Sequence, residues 1–98
     1  MDKVLPDLRK KIKTKQLKIA VVGLGYVGFP LALEFAGKDF KVTGIEIDSD
    51  RLNSIKENKS YISDISNNQL KAAKSRGNFS VTADFSSLKT ADVVLICV

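Results

Sequence analysis

The 98-residue sequence contains no histidine and only one cysteine, Cys97. Without histidine the chain holds no Ser-His-Asp triad, no Cys-His pair and no His-ligated zinc site. A lone cysteine excludes an internal disulfide framework and a cysteine-based metal cluster, and a reducing, cytoplasmic compartment is the expectation. No apolar run reaches the ~18 residues of a membrane-spanning helix. The N-terminal stretch MDKVLPDLRKKIKTKQ is charged and lacks the apolar centre of a secretory signal. We assign no catalytic and no metal-ligating residue within this chain.

What remains is an ordinary composition, 44% hydrophobic and 28% charged, fit for one small domain or a piece of a larger one. The net charge of +5 first suggests nucleic acid, but its location argues otherwise. Residues 1–18 carry seven basic side chains against Asp2 and Asp7, whereas residues 19–98 carry nine of each sign. The excess therefore lies in a basic N-terminal arm, residues 1–16. A sustained basic face for nucleic acid is not supported. Leu5, Leu8 and Ile12 fall at i, i+3 and i+7, one stripe of a short helix starting near Pro6, which is tolerated in a first helical turn. The stripe is expected to dock the arm onto its own domain, with the basic face in solvent. Membrane contact by the arm is not expected.

Residues 17–98 alternate strand and helix patterns. Leu17 to Val22 is a short β-rich run ending at glycine, read as a buried strand. Tyr26 to Gly37 has helical spacing, with Val27, Leu31, Ala32, Phe35 and Ala36 on the expected inner face and Gly37 as the stop. Phe40 to Ile47 alternates as a second strand. Asp48 or Ser49 caps a helix through Lys56. Asn58 to Asn68 is polar and turn-rich, and Asp64 within it reads as a turn residue. Tyr61 and Ile62 are expected to pack that loop back onto the domain. Gln69 to Arg76 reads as a helix ended by Gly77, Phe79 to Thr82 as a strand, Asp84 to Lys89 as a turn or short helix, and Asp92 to Val98 as a strongly apolar strand. This order predicts an α/β fold with a parallel sheet and right-handed crossovers. A chain ending on a strong strand leaves that strand's edge unpaired, so we expect the N-terminal part of a longer polypeptide.

Gly23-Leu24-Gly25-Tyr26-Val27-Gly28 is a GxGxxG run lying between a predicted strand and a predicted helix, the context the motif requires. Gly23 permits the turn, Gly25 lets backbone approach a pyrophosphate, and Gly28 lets helix and strand pack closely. The helix start offers free N–H groups and partial positive charge to phosphates. Glu46 ends the second strand, 23 residues beyond Gly23, near the offset of about 20 at which an acid accepts the adenosine ribose hydroxyls. A carboxylate there favours NAD over NADP. Asp48 is first a helix cap and second a ribose contact. Arg51, in the first turn of the next helix, is placed to cover the adenine or approach the ribose, although an arginine in this region also accepts NADP in some proteins. Val98 ends the last strand, beside the cofactor crevice. Cys97 reads as a small buried hydrophobe, not a nucleophile.

The run VVGLGYVGFPLALEF (Val21 to Phe35) resembles the nucleotide-sugar dehydrogenases, the UDP-glucose, GDP-mannose and UDP-HexNAc 6-dehydrogenase family. KVTGIEIDSDRL, Thr82-Ala83-Asp84 and ADVVLICV continue the likeness in order, and the arm is similar to a leading helix seen in some members. The loop Lys59 to Ile65 resembles the UDP-N-acetylglucosamine branch, and the YEPGL-like sequence typical of UDP-glucose members is absent. The resemblance implies a Rossmann-type sheet of which about four strands are present, preceded by the short basic helix. It implies NAD as cofactor, a UDP-sugar as substrate and two-step oxidation of the sugar C6 alcohol through an aldehyde to a carboxylate. A homo-oligomer is expected of the full-length form. The cysteine that traps the aldehyde in such enzymes belongs to a later GGxC-type segment, so this chain alone is expected to be inactive. Gly23, Gly25, Tyr26, Val27 and Gly28 match the family's phosphate loop, Glu46 its ribose-binding acid, Arg51 the basic residue five positions on, and Val98 the start of the fourth-strand crevice segment. The family more often carries Asp at the position of Glu46.

Two other readings share the glycine loop. A regulatory nucleotide-sensing domain would bind NAD or ATP without chemistry, but the YVGxPLA continuation favours the dehydrogenases. Another two-domain dehydrogenase, such as a 3-hydroxyacid enzyme, usually has GLGxMG where this chain has Tyr26-Val27.

Overall fold

Four parallel strands form the sheet in the computed structural model, which describes residues 4–97 and the side chains of residues 7–97. In chain order the elements are α1 (Val4–Lys13), β1 (Lys18–Val22), α2 (Gly28–Gly37), β2 (Lys41–Ile45), α3 (Ser49–Lys56), α4 (Asn67–Ser75), β3 (Phe79–Thr82), a 3-10 segment (Phe85–Thr90) and β4 (Val93–Ile96). The spatial order is β3-β2-β1-β4, with every neighbouring pair parallel. The α/β expectation holds, and with it the alternation read from the sequence.

Local chemistry sets the element ends. The Asp48 carboxylate accepts the N–H groups of Asp50 and Arg51, and the Ser66 hydroxyl accepts that of Gln69, so α3 and α4 start on side-chain caps. Asp84 caps the 3-10 segment by accepting the Ser86 N–H. Asp64 lies exposed in a turn, as expected.

The core lies on one face of the sheet. Ile19 and Val21 of β1, Val42 of β2 and Phe79 of β3 meet Phe29, Ala32, Leu33 and Ala36 of α2, with Ile55, Ile62, Ile65 and Leu70 closing the far side. The inner face of α2 differs from the one expected. Val27 is 69% exposed, whereas Phe29 and Leu33 are buried. The helix starts at Gly28, two residues beyond the expected start, and its stripe is Phe29, Ala32, Leu33 and Ala36, a clean i, i+3, i+4, i+7 set. Tyr26 and Val27 belong to the loop.

The arm meets the domain at the opposite edge from the glycine loop. Leu8 packs against the core while Ile12 stays half exposed. The side chain of Leu5 lies outside those described. Lys11 Nζ donates to Asp92 Oδ1 at 2.7 Å, and the Lys18 N–H donates to Asp92 Oδ2 at 2.9 Å. One carboxylate thus ties α1 to the entries of β1 and β4.

Candidate cofactor site

Because all four strands run the same way, the C-terminal ends of β1, β2 and β4 share one edge. From β1 the chain returns through α2 to β2 on one side, and from β3 it crosses to β4 on the other. The ends of β1 and β4 therefore flank a topological switch point, where open α/β sheets bind ligands. A cavity of about 570 Å³ lies there. Gly23, Gly25, Tyr26 and Val27 form one wall, Ile45, Glu46, Ile47 and Arg51 another, and Val22, Phe85 and Cys97 the remainder.

The loop over this cavity is fixed from several sides. Gly23 takes φ +92°, the left-handed turn out of β1, and its N–H donates to the Ile45 carbonyl at 2.9 Å. A Cβ on Gly28 would stand 1.8 Å from the Gly23 carbonyl oxygen, so only glycine lets the helix start against the strand end. Gly25 is different in kind. A Cβ there would meet only the Arg51 guanidinium, with Nη1 at 3.5 Å, an ordinary contact. Packing within the chain therefore leaves room above Gly25 that a side chain would fill.

The N–H groups of Gly25, Tyr26, Val27 and Gly28 have no acceptor among the described residues. They are the orphan donors of a helix start, gathered beside a cavity, and they favour an anion there.

Glu46 is 5% exposed. Its Oε1 accepts the Leu24 N–H at 2.9 Å and its Oε2 accepts the Asp48 N–H at 3.1 Å. Arg51 Nη1 lies 3.8 Å from Oε1. A carboxylate offers about four lone-pair sites, so these contacts leave acceptor capacity toward the cavity. The set fits a dinucleotide: bare backbone and free amides for the pyrophosphate, and an oriented carboxylate for ribose hydroxyls.

The structure brings Gly23, Gly25, Tyr26, Val27, Glu46 and Arg51 around one cavity, with Gly28 directly behind them. Val98 lies outside the described residues. Cys97, expected to be buried, is half-buried and lines the cavity, because it follows β4 at the open edge of the sheet.

Two residues take roles that local reading did not assign. Gly44, in the middle of β2, is where a Cβ would fall 2.6 Å from Leu24 Cδ1, so its bare backbone makes room for the fully buried Leu24 side chain. Tyr61 donates its hydroxyl hydrogen to the Leu24 carbonyl. Its ring stacks on Phe29 at 5.0 Å between centroids, and the Arg51 guanidinium lies 5.8 Å from its centroid. Burial, and after it the Glu46 charge, push the Tyr61 hydroxyl well above its ordinary value, with Arg51 opposing. A glycine inside a strand pattern is a signal of close approach. The Tyr61 contact has no such local signal.

Residues 17–98 match the model of the UDP-glucose/GDP-mannose dehydrogenase family, NAD binding domain. The UDP-N-acetyl-D-mannosamine dehydrogenase of Methanococcus aeolicus is 39% identical over 90 residues, covering 90% of this chain and 20% of that protein. The UDP-N-acetyl-D-glucosamine 6-dehydrogenase of Pseudomonas aeruginosa is 37% identical over 84 residues, covering 86% of this chain and 19% of that protein. Among solved structures, the UDP-D-ManNAc dehydrogenase of Pyrococcus horikoshii superposes with a TM-score of 0.77 at 37% identity, over 84% of this chain and 20% of that one. The chain thus spans about a fifth of the length of these relatives.

Proposed function

Because the chain belongs to the UDP-glucose/GDP-mannose dehydrogenase family, through its NAD-binding domain, we propose that it is an NAD-binding portion of an enzyme that oxidises the C6 alcohol of a UDP-N-acetylhexosamine to the carboxylate. Bound NAD supplies the hydride acceptor. Alcohol to carboxylate is a four-electron change, so two NAD are reduced per sugar and water provides the second oxygen.

One observation carries the reading: the N–H groups of Gly25 to Gly28 have no acceptor among the described residues, and their loop shares one cavity with the Glu46 carboxylate at the switch point of the sheet. In this reading the amides hold the pyrophosphate, aided by the positive end of α2. The gap at Gly25 lets the phosphates reach the backbone. Glu46 accepts the ribose hydroxyls and disfavours a 2′-phosphate. Arg51, which already pairs with Glu46, flanks the adenosine, and Val98, outside the described residues, is a further proposed cofactor contact. Residues 1–16 are an arm outside the cofactor domain. The catalytic nucleophile and the sugar-binding groups lie elsewhere in the enzyme.

N-acetylglucosamine is the proposed sugar. Its support is the Lys59 to Ile65 loop, with relatives named for both N-acetylglucosamine and N-acetylmannosamine substrates at similar identity. The test is NADH absorbance from the natural polypeptide with UDP-N-acetylglucosamine, UDP-N-acetylgalactosamine, UDP-N-acetylmannosamine and UDP-glucose. Two NADH per UDP-N-acetylglucosamine, with little from the others, is the expected result. Turnover of UDP-N-acetylmannosamine or UDP-glucose alone keeps the family and discards the sugar.

A further inference from the structure

Leu24, at the second position of the glycine loop, is held at three points by two parts of the chain, the end of β2 and the loop between α3 and α4. Its side chain is fully buried against the bare backbone of Gly44. Its N–H donates to Glu46 Oε1 at 2.9 Å. Its carbonyl accepts the hydroxyl hydrogen of Tyr61, which comes from the loop between α3 and α4. Tyr61 is itself braced, by Phe29 beneath its ring and by the Arg51 guanidinium over it.

The Leu24 carbonyl belongs to the same planar unit as the Gly25 N–H. In a trans peptide the C=O and N–H point in opposite directions. Drawing the Leu24 oxygen toward Tyr61 therefore turns the Gly25 N–H away from Tyr61 and fixes its direction. Gly25 supplies the first of the loop N–H groups that have no acceptor among the described residues. It is also the position where the missing side chain leaves space above the backbone.

We propose that Tyr61 is a positioning residue for phosphate binding: its hydroxyl, acting through the Leu24–Gly25 peptide, orients the Gly25 amide for the pyrophosphate. This rests on the reading of the cavity as the NAD site. Tyr61 needs no contact with the cofactor to do this. Its raised hydroxyl keeps the proton it donates throughout the neutral and mildly alkaline range. The same ring ties ribose and phosphate recognition together, because Arg51 both covers Tyr61 and lies beside Glu46.

The test is Tyr61→Phe in the natural polypeptide, which keeps the ring and its stacking and removes only the donor. Calorimetry should show NAD and ADP binding weakened roughly threefold to tenfold, the equivalent of one net hydrogen bond. Adenosine, which has no phosphate, should bind unchanged by NMR titration. Unchanged NAD and ADP affinity would overturn the proposal, and so would an equal loss for adenosine, which marks general loosening. The Gly25 amide resonance in ligand-free protein gives a second readout. It should move in Tyr61→Phe, and an unmoved resonance would overturn the clamp even if the parent protein bound no NAD. Absence of NAD binding by the parent, with the resonance shifted, would sink the cofactor reading while keeping the peptide's control by Tyr61.

Discussion

The carbonyl oxygen of Gly23 occupies the place that a Cβ on Gly28 would need, at a separation of 1.8 Å. The oxygen is backbone and a Cβ is bonded directly to the backbone at the junction of β1 and α2, so neither can swing aside as a side-chain tip would. Gly28 is thus a requirement of the fold. Gly25, three residues earlier, is not, since a methyl there meets only the Arg51 guanidinium at ordinary distance.

The two glycines should separate in mutagenesis. Gly28→Ala is expected to cost upward of about 3 kcal/mol in urea denaturation, through forced displacement of packed backbone. Gly25→Ala should leave stability within about 1 kcal/mol of the parent while lowering NAD affinity more than tenfold. Normal NAD binding by a folded Gly25→Ala protein would show that the pyrophosphate does not cross this position.

The proposed cofactor site gives Glu46 two tasks, holding the loop and accepting the ribose, and amide and alanine replacements should divide them. Glu46→Gln retains an oxygen for the Leu24 N–H but turns its NH2 toward the Asp48 N–H, so it should fold with a loss of about 1 kcal/mol. It loses the charged acceptor, worth about 1.5–3 kcal/mol of binding or roughly tenfold or more in NAD affinity. Glu46→Ala also leaves the buried Leu24 N–H without a partner, at about 1–3 kcal/mol of stability. Calorimetry and denaturation on both variants check the division. Equal NAD affinity in Glu46→Gln and the parent would remove the carboxylate from ribose recognition.

Much of this site was legible because its parts are local in sequence. The turn glycine, the helix start and the strand-end acid follow a fixed spacing, and a parallel βαβ unit carries them to one edge. The inner face of α2 was less legible. GFPLALEFAG is apolar on nearly every side, so spacing alone admits more than one stripe, and contact with β1 and β2 selects Phe29, Ala32, Leu33 and Ala36. Tyr61 was legible only as a packing residue. Its hydrogen bond to Leu24 joins positions 37 residues apart, and nothing near either residue announces the other. Cys97 sits in a run that reads as fully buried, and only the position of β4 beside the open crevice exposes it.

Tyr61 should be an alkaline outlier. Desolvation raises its hydroxyl first and the Glu46 charge second, while Arg51 lowers it. In a Tyr26→Phe background, tyrosinate absorbance should therefore appear well above the ordinary value of 10.0. Adding Glu46→Gln should bring it part of the way back, and adding Arg51→Met should move it further up. The folded value is the raised one, so the Tyr61 contribution to stability is complete below pH 10.0 and is lost as the pH climbs through the folded value. Ionisation at the ordinary value would mean that the hydroxyl is not held against Leu24.

Asp92 supplies the acid counterpart at the far edge of the sheet. The hydrogen bond from Lys11, and then that from the Lys18 N–H, hold its carboxyl below the ordinary value of 3.8. A depressed folded value means that its stabilisation is present above pH 3.8 and disappears as the pH falls through the folded value. Asp92→Asn keeps an acceptor for the Lys18 N–H and removes the ion pair to α1. Because Lys11 is partly solvent-exposed, the loss near neutral pH should be no more than about 1 kcal/mol. Urea titrations of parent and variant should converge in strong acid, where neither side chain is charged. A gap that persists there would assign the difference to packing of the arm instead of to the Lys11–Asp92 pair.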